Sequence, residues 1–184
     1  MKFVPQVIPD IILIEPTLHG DDRGYFSETF RQDLFNEAIG RDINFIQDNE
    51  SKSSKGVLRG LHYQVPPFSQ SKLLKVIEGS VLDVVVDIRK SSPTFGQHLA
   101  IELSADNKYQ LFVPKGFAHG FIVLSDAATF TYKVDNYYAP EHERGIAFND
   151  QNLKINWQLK PEFFKLASKD LNHPNFTNAQ DFFD

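Results

Sequence analysis

Short extended runs recur along nearly the whole chain, separated by turn residues, and helical periodicity is scarce. Ile11–Glu15, Tyr25–Phe30, Phe45–Glu50, Val57–Gln64 and Lys72–Glu78 carry the apolar alternation and β-branched or aromatic content of strands. Gly79 punctuates a hairpin whose second arm is Ser80–Ile88. Leu99–Leu103, Gln110–Val113, Ala118–Leu124, Thr129–Val134 and Gly145–Phe148 follow. Helix is predicted at Gln32–Ile39, where Leu34, Phe35, Ala38 and Ile39 share a face, and for a short stretch at Pro161–Leu166. About ten short strands with so few helices can bury their apolar faces only by stacking sheets. The expected fold is therefore all-β, a sandwich or jelly roll with a few short peripheral helices.

Composition agrees and narrows the field. At 184 residues the chain reads as one domain, 1–184, able to bury a full core. Seventeen phenylalanines suit the interior of a sandwich, where large rings fill the space between sheets. A net charge of −5 argues against binding nucleic acid through a basic surface, so any basic site must be a local pocket. With no cysteine there is no disulfide, thiolate metal site or thiol nucleophile. Pro5, Pro9 and Asp10 interrupt the N-terminal apolar residues, and no run approaches a membrane span, so a cytoplasmic protein is expected.

Polar groups inside the strands matter most for function. Alternation in Val81–Asp87 puts Asp83 and Asp87 on the face of Val81 and Val85, whereas Leu82, Val84 and Val86 form a purely apolar face. A mixed face of that kind suits a barrel with polar groups inside. In Gly56-Val-Leu-Arg-Gly-Leu-His-Tyr-Gln64, strict alternation would put His62 and Arg59 on opposite faces. They share a site only if the strand is bulged between them, and Gly60 is the residue that permits it.

Imidazole is the side chain suited to proton transfer near neutral pH, so His62 is a candidate base, with Arg59 and Lys72 as neighbouring cations suited to an anionic ligand. The plainer alternative is a hydrogen-bonded structural histidine. Lys72 is either a solvated surface group or, inside a barrel, a cation for a developing oxyanion. Tyr132 is either a core residue or a proton donor from its phenol. Pro114-Lys-Gly-Phe-Ala-His119 resembles the second signature of the cupin superfamily, in which many members bind a metal. The place of the first signature holds His62-Tyr-Gln64, which lacks the second histidine, so no metal is expected.

Asp22-Arg-Gly24, Phe45-Ile-Gln-Asp-Asn49, Val57-Leu-Arg-Gly-Leu-His-Tyr-Gln64, Val84-Val-Val-Asp-Ile-Arg89, Ser92-Pro-Thr-Phe-Gly96, Pro114-Lys-Gly-Phe-Ala-His-Gly-Phe121 and Tyr132-Lys133 occur in one order. That order resembles the dTDP-4-dehydrorhamnose 3,5-epimerases over about Ile8 to Asp170. The resemblance implies a cupin-like jelly roll (double-stranded β-helix), no cofactor, and a homodimer whose subunits help build each other's site. It implies a dTDP-4-keto-6-deoxyhexose substrate inverted at C3 and C5, and a pathway to cell-surface rhamnose. It makes His62 the proton acceptor, Tyr132 the donor on the other face of the sugar, and Lys72 the stabiliser of the enolate. Asp170, in Ser168-Lys-Asp170, is the expected partner of His62, with Asp83 as the alternative. Arg23, Glu28, Gln47, Asn49, Arg59, His119, Tyr138, Glu143 and Lys169 match positions that hold the nucleotide sugar. Phe26 matches an aromatic that reaches the neighbouring subunit's nucleotide. Phe148 stands where the family often has Trp, keeping apolar bulk without an indole donor. Relatives that invert one carbon or shift the ketone, a non-catalytic sugar-binding module, and a metal-dependent cupin are the competing readings.

Overall fold

Val81 and Val85 point into the space between two sheets, with Asp83 and Asp87 beside them, while Leu82, Val84 and Val86 point the other way. Both faces of this strand are buried, so the molecule needs two apolar layers on one sheet. The computed structural model describes all 184 residues. The strands run β1 (Lys2–Pro5), β2 (Ile12–Glu15), β3 (His19–Asp21), β4 (Gly24–Phe26), β5 (Gln47–Ser54), β6 (Leu58–Gln64), β7 (Lys72–Glu78), β8 (Ser80–Asp87), β9 (His98–Ser104), β10 (Gln110–Val113), β11 (Phe117–Val123), β12 (Ala127–Val134) and β13 (Glu143–Gly145). One α-helix, α1 (Gln32–Ile39), lies between β4 and β5.

The two large sheets are antiparallel, in the orders β1-β2-β10-β7-β12-β5 and β13-β6-β11-β8-β9. They face each other as a jelly roll of the cupin type. Between them pack Leu74 and Val76 of β7, Phe117 and Phe121 of β11 and Phe130 of β12. Phe121 and Phe130 stack at 4.4 Å. Each such buried side chain stabilises the fold by roughly 1.5–3 kcal/mol. A second layer covers the outside of the five-stranded sheet. There the C-terminal segment lays Trp157, Phe176, Phe182 and Phe183 over Leu82, Val84 and Val86. A third cluster sits outside the six-stranded sheet, where Phe35 of α1 meets Phe112 and Phe45. Gly40, at φ 71°, ends α1 and donates its N–H to the Asn36 and Glu37 carbonyls.

Some expected boundaries move. Lys2–Pro5 forms an edge strand against β2, a pairing its own sequence does not announce because Pro5 reads as a breaker. Extended pairing around Tyr25 stops at Phe26, where the chain leaves for α1. Pairing with β6 covers Glu143–Gly145 instead of Gly145–Phe148. The stretch after Pro161 makes only a 3₁₀ turn, Pro161–Phe163. Lys165 then hydrogen-bonds the backbone at Gly56 and Leu58, so tertiary pairing overrides helix propensity there. No helix is long and apolar enough to cross a membrane.

Candidate active site

The site begins at an irregularity in β6. His119 of β11 pairs with His62, and two residues on Phe121 pairs with Arg59, so β6 carries one extra residue in that interval. Gly60 sits there at φ 129°, and a Cβ on it would lie 2.5 Å from the Gly120 Cα. The bulge returns Arg59 to the side of His62, and both line one cavity of ≈ 390 Å³. A bulge at Gly60 was the condition for Arg59 and His62 to share a site, and the structure has it.

His62 Nε2–H donates to Asp170 Oδ1 at 2.6 Å, and the Asp170 side chain is almost wholly buried. Burial alone would raise the Asp170 pKa, but the His62 hydrogen bond and the nearby charges hold it below the usual carboxylate range. His62 Nδ1 makes no hydrogen bond within the chain and is free to accept a proton. Asp83 is not the partner of His62. It accepts instead from His119 Nε2 at 2.8 Å, because β8 lies directly beside β11 and places the two side chains together.

The opposite sheet supplies Tyr132 from β12 and Gln47 and Asn49 from β5, all lining the same cavity. Burial raises the Tyr132 pKa, with Arg59 opposing, so the phenol is protonated at neutral pH. Tyr138, Glu143 and Lys169 also line it. Glu143 accepts from Lys169 at 3.0 Å and from the Tyr138 hydroxyl at 3.3 Å. Lys72 and His119 stand behind this lining in the barrel interior, His119 beside Asp83 and His62, and Lys72 within electrostatic reach of Asp83 and of Glu143 at the cavity. Burial lowers the Lys72 pKa to about 8, against the opposing pull of Asp83 and Glu143. The cavity also takes in Gln70 and Ala167, which no local signal marked.

Three expected residues lie elsewhere. Arg23 and Phe26 belong to the β3–β4 hairpin, which joins neither large sheet. The Arg23 side chain is 89% exposed and Phe26 is 70% exposed. Glu28 is exposed just beyond that hairpin. Phe148 lines a different cavity of ≈ 490 Å³ under the C-terminal segment. Trp157 supplies an indole there, donating to the Phe148 carbonyl. That cavity has no acid–base pair, since Asp150 is occupied by the backbone N–H groups of Asn152, Leu153 and Phe176.

A cupin-type metal would draw on His62, position 64 and His119. These residues do not fit one. Gln64 spends its amide on the Phe68 and Tyr137 carbonyls and the Ala139 N–H, and buried His119 gives Nε2 to Asp83, so two of the three positions have no donor to spare. The arrangement instead offers a base and an acid on facing sheets.

A family model described as dTDP-4-dehydrorhamnose 3,5-epimerase matches residues 5–178. The protein of that name from Shigella flexneri is 51% identical over 182 residues, 99% of each chain. A crystal structure of the Elizabethkingia anophelis enzyme of the same name superposes with TM-score 0.95 at 48% identity, covering 99% of each chain. One of the Legionella pneumophila dTDP-6-deoxy-D-glucose-3,5-epimerase in complex with dTDP-4-keto-L-rhamnose gives 0.93 at 46% identity, covering 97% of this chain and 94% of that one. Agreement over essentially the full length, in sequence and in backbone alike, shows that the chain belongs to the dTDP-4-dehydrorhamnose 3,5-epimerase family.

Proposed function

We propose that residues 1–184 act as one epimerase domain that inverts C3 and C5 of dTDP-4-dehydro-6-deoxy-D-glucose, giving dTDP-4-dehydro-L-rhamnose. The observation that carries this reading is the facing pair: His62 with Asp170 on one side of a cavity, Tyr132 on the other. The C4 ketone acidifies the protons on C3 and C5. His62 Nδ1 takes one of them, and the electron pair moves onto the C4 oxygen as an enolate. Asp170 fixes the tautomer and steadies the imidazolium, as the carboxylate does in hydrolase triads. Lys72 supplies positive charge to the enolate oxygen. Tyr132 returns a proton to the opposite face of the carbon, which inverts it, and exchange with solvent resets both groups. A second round at the other carbon completes the product.

Arg59, Gln47, Asn49, Tyr138, Glu143 and Lys169 hold the nucleotide sugar around the cavity. His119 is neutral, because burial and Lys72 lower its pKa more than Asp83 raises it. The diphosphate needs more cationic donors than the cavity rim carries, since Lys169 is already paired with Glu143. We assign the missing cation to Arg23 of a second copy in a homodimer, with Phe26 stacking on the nucleotide and Glu28 accepting from hydroxyl or ring N–H groups of the nucleotide sugar. An isolated two-stranded hairpin is marginal alone, and this one is exposed along both strands.

Incubating dTDP-4-keto-6-deoxyglucose with the protein in heavy water tests the reaction. Deuterium at C3 and C5 of an L-configured product is expected. Label at one carbon only would mean a mono-epimerase, and binding without label would mean a sugar-binding module. Shared sites are tested by mixing Arg23→Ala with His62→Ala protein. Hybrid dimers regain activity if the hairpin serves the neighbouring cavity, and stay inactive if each chain works alone.

A further inference from the structure

His173 has no task in the reaction above. It follows Asp170 by three residues, and its ring stands edge-on to that of His62, with centroids 5.3 Å apart and planes at 78°. Its Nε2 is buried without a hydrogen-bond partner. That nitrogen lies 3.6 Å from Asp170 Oδ1, the oxygen that His62 Nε2 reaches at 2.6 Å. One donor atom from each of the three residues falls within 4.8 Å of the others. The ring's seat is specific. It rests on Gly145, the cross-strand partner of His62, and a Cβ at that position would collide with the imidazole.

We infer that His62, Asp170 and His173 form a binding site for a divalent transition metal of the zinc class, and that the bound ion switches the proton acceptor off. Two imidazoles and one carboxylate are the donor set of open zinc sites, whereas magnesium and calcium favour all-oxygen shells. At zinc–ligand lengths of about 2.0–2.1 Å, tetrahedral ligands sit roughly 3.3 Å apart. The two separations to Asp170 Oδ1, 2.6 and 3.6 Å, bracket that value, and the two imidazole donors lie within 4.8 Å of each other, so side-chain rotation brings all three around one ion. Lys169, the nearest cation, is neutralised by Glu143. When Nε2 of His62 binds the ion, the ring keeps its single proton by moving it from Nε2 to Nδ1. The lone pair that would accept from the sugar is then gone. This differs from the cupin metal position, which would use His119 and residue 64.

Inhibition rests on the proposed epimerase reading; binding does not. Chelator-stripped full-length protein is titrated with zinc chloride by calorimetry, and with cobalt(II) by visible absorption. One ion per chain at micromolar affinity or better is expected, with the intense d–d bands of four-coordinate cobalt. His173→Gln preserves bulk and polarity and should weaken zinc binding by about 100-fold and abolish the bands, since it removes one of three protein ligands. His142→Gln, an imidazole outside the cluster, should change neither. Zinc uptake that is unsaturable below ~1 mM, or that survives His173→Gln unchanged, would overturn the site. With substrate present, zinc should stop turnover, EDTA should restore it, and His173→Gln should raise the inhibitory concentration by the same factor as the binding constant. Stoichiometric binding with full turnover would overturn the switch. No substrate enters the binding arm, so its failure leaves the epimerase reading standing, and failed deuterium exchange leaves the metal site standing.

Discussion

Two histidine–carboxylate pairs sit side by side in the five-stranded sheet, in opposite surroundings. His62 and His119 are cross-strand partners on β6 and β11, and each gives Nε2 to a carboxylate oxygen. His62 faces the cavity, and its carboxylate comes from 108 residues further along the chain. His119 is buried, stacks nearly parallel to Phe130, and takes its carboxylate from the adjacent strand β8. One ring has a free nitrogen beside open space; the other is packed into the core. The difference teaches that a histidine–carboxylate pair is not a function in itself. Exposure and neighbours decide whether it can carry a proton or only hold a structure.

Mutating each ring tests the contrast most strongly. His62→Ala should lower kcat by about 10³-fold or more, as loss of a general base predicts, with nucleotide binding retained and some stability lost because buried Asp170 loses its hydrogen bond. His119→Ala should act mainly on stability, costing roughly 3 kcal/mol in denaturant unfolding because Asp83 loses its charged hydrogen bond in the core. Equal losses of kcat in the two variants would erase the distinction.

Lys72 sharpens it next. Lys72→Met should cost roughly 10²–10³-fold in kcat, the scale of an oxyanion donor, with a smaller change in KM. The Lys72 ammonium is charged below its folded-state pKa of about 8 and neutral above it. Wild-type rate should therefore fall as pH rises through about 8, and a pH–rate profile checks this. Lys72→Arg, which stays charged, should move that limb upward. A limb that stays in place in Lys72→Arg would remove Lys72 from the rate-limiting protonation.

The smallest contrast is between the carboxylates. Asp170→Asn should cost roughly 10²-fold or more in kcat by releasing the tautomer of His62, as in triads. Asp83→Asn keeps a hydrogen-bonding side chain beside His119 and should fall several-fold less. Equal losses in steady-state kinetics would mean that both carboxylates serve the proton transfer.

Much of this was legible along the chain. The alternation in Val81–Asp87 gave both faces of β8 correctly, because a strand's side-chain period is fixed by its backbone. The odd spacing of Arg59 and His62 meant that they could share a site only across a bulge, and glycine marked where one could form. The choice between Asp170 and Asp83 was not legible, since either could reach His62 on paper. Sheet order settled it by committing Asp83 to His119. His173 gave no signal, because its meaning depends on Gly145 leaving room beneath the ring. The cover over Leu82, Val84 and Val86 was implied by their apolar face, yet its source was not. The C-terminal segment that supplies it has almost no regular structure of its own, and Phe183 is placed by bridging to Arg89.

Sequence by itself determined the inventory of acids, bases and cations, the alternation of faces along regular strands such as β8, and the family. Tertiary structure alone decided which carboxylate meets which imidazole, which groups reach open space, and which hairpin residues stay away from their own chain's cavity. The physical reason is range. Strand periodicity and glycine geometry act over a few residues, whereas pairings across the barrel are set by packing between segments up to a hundred residues apart.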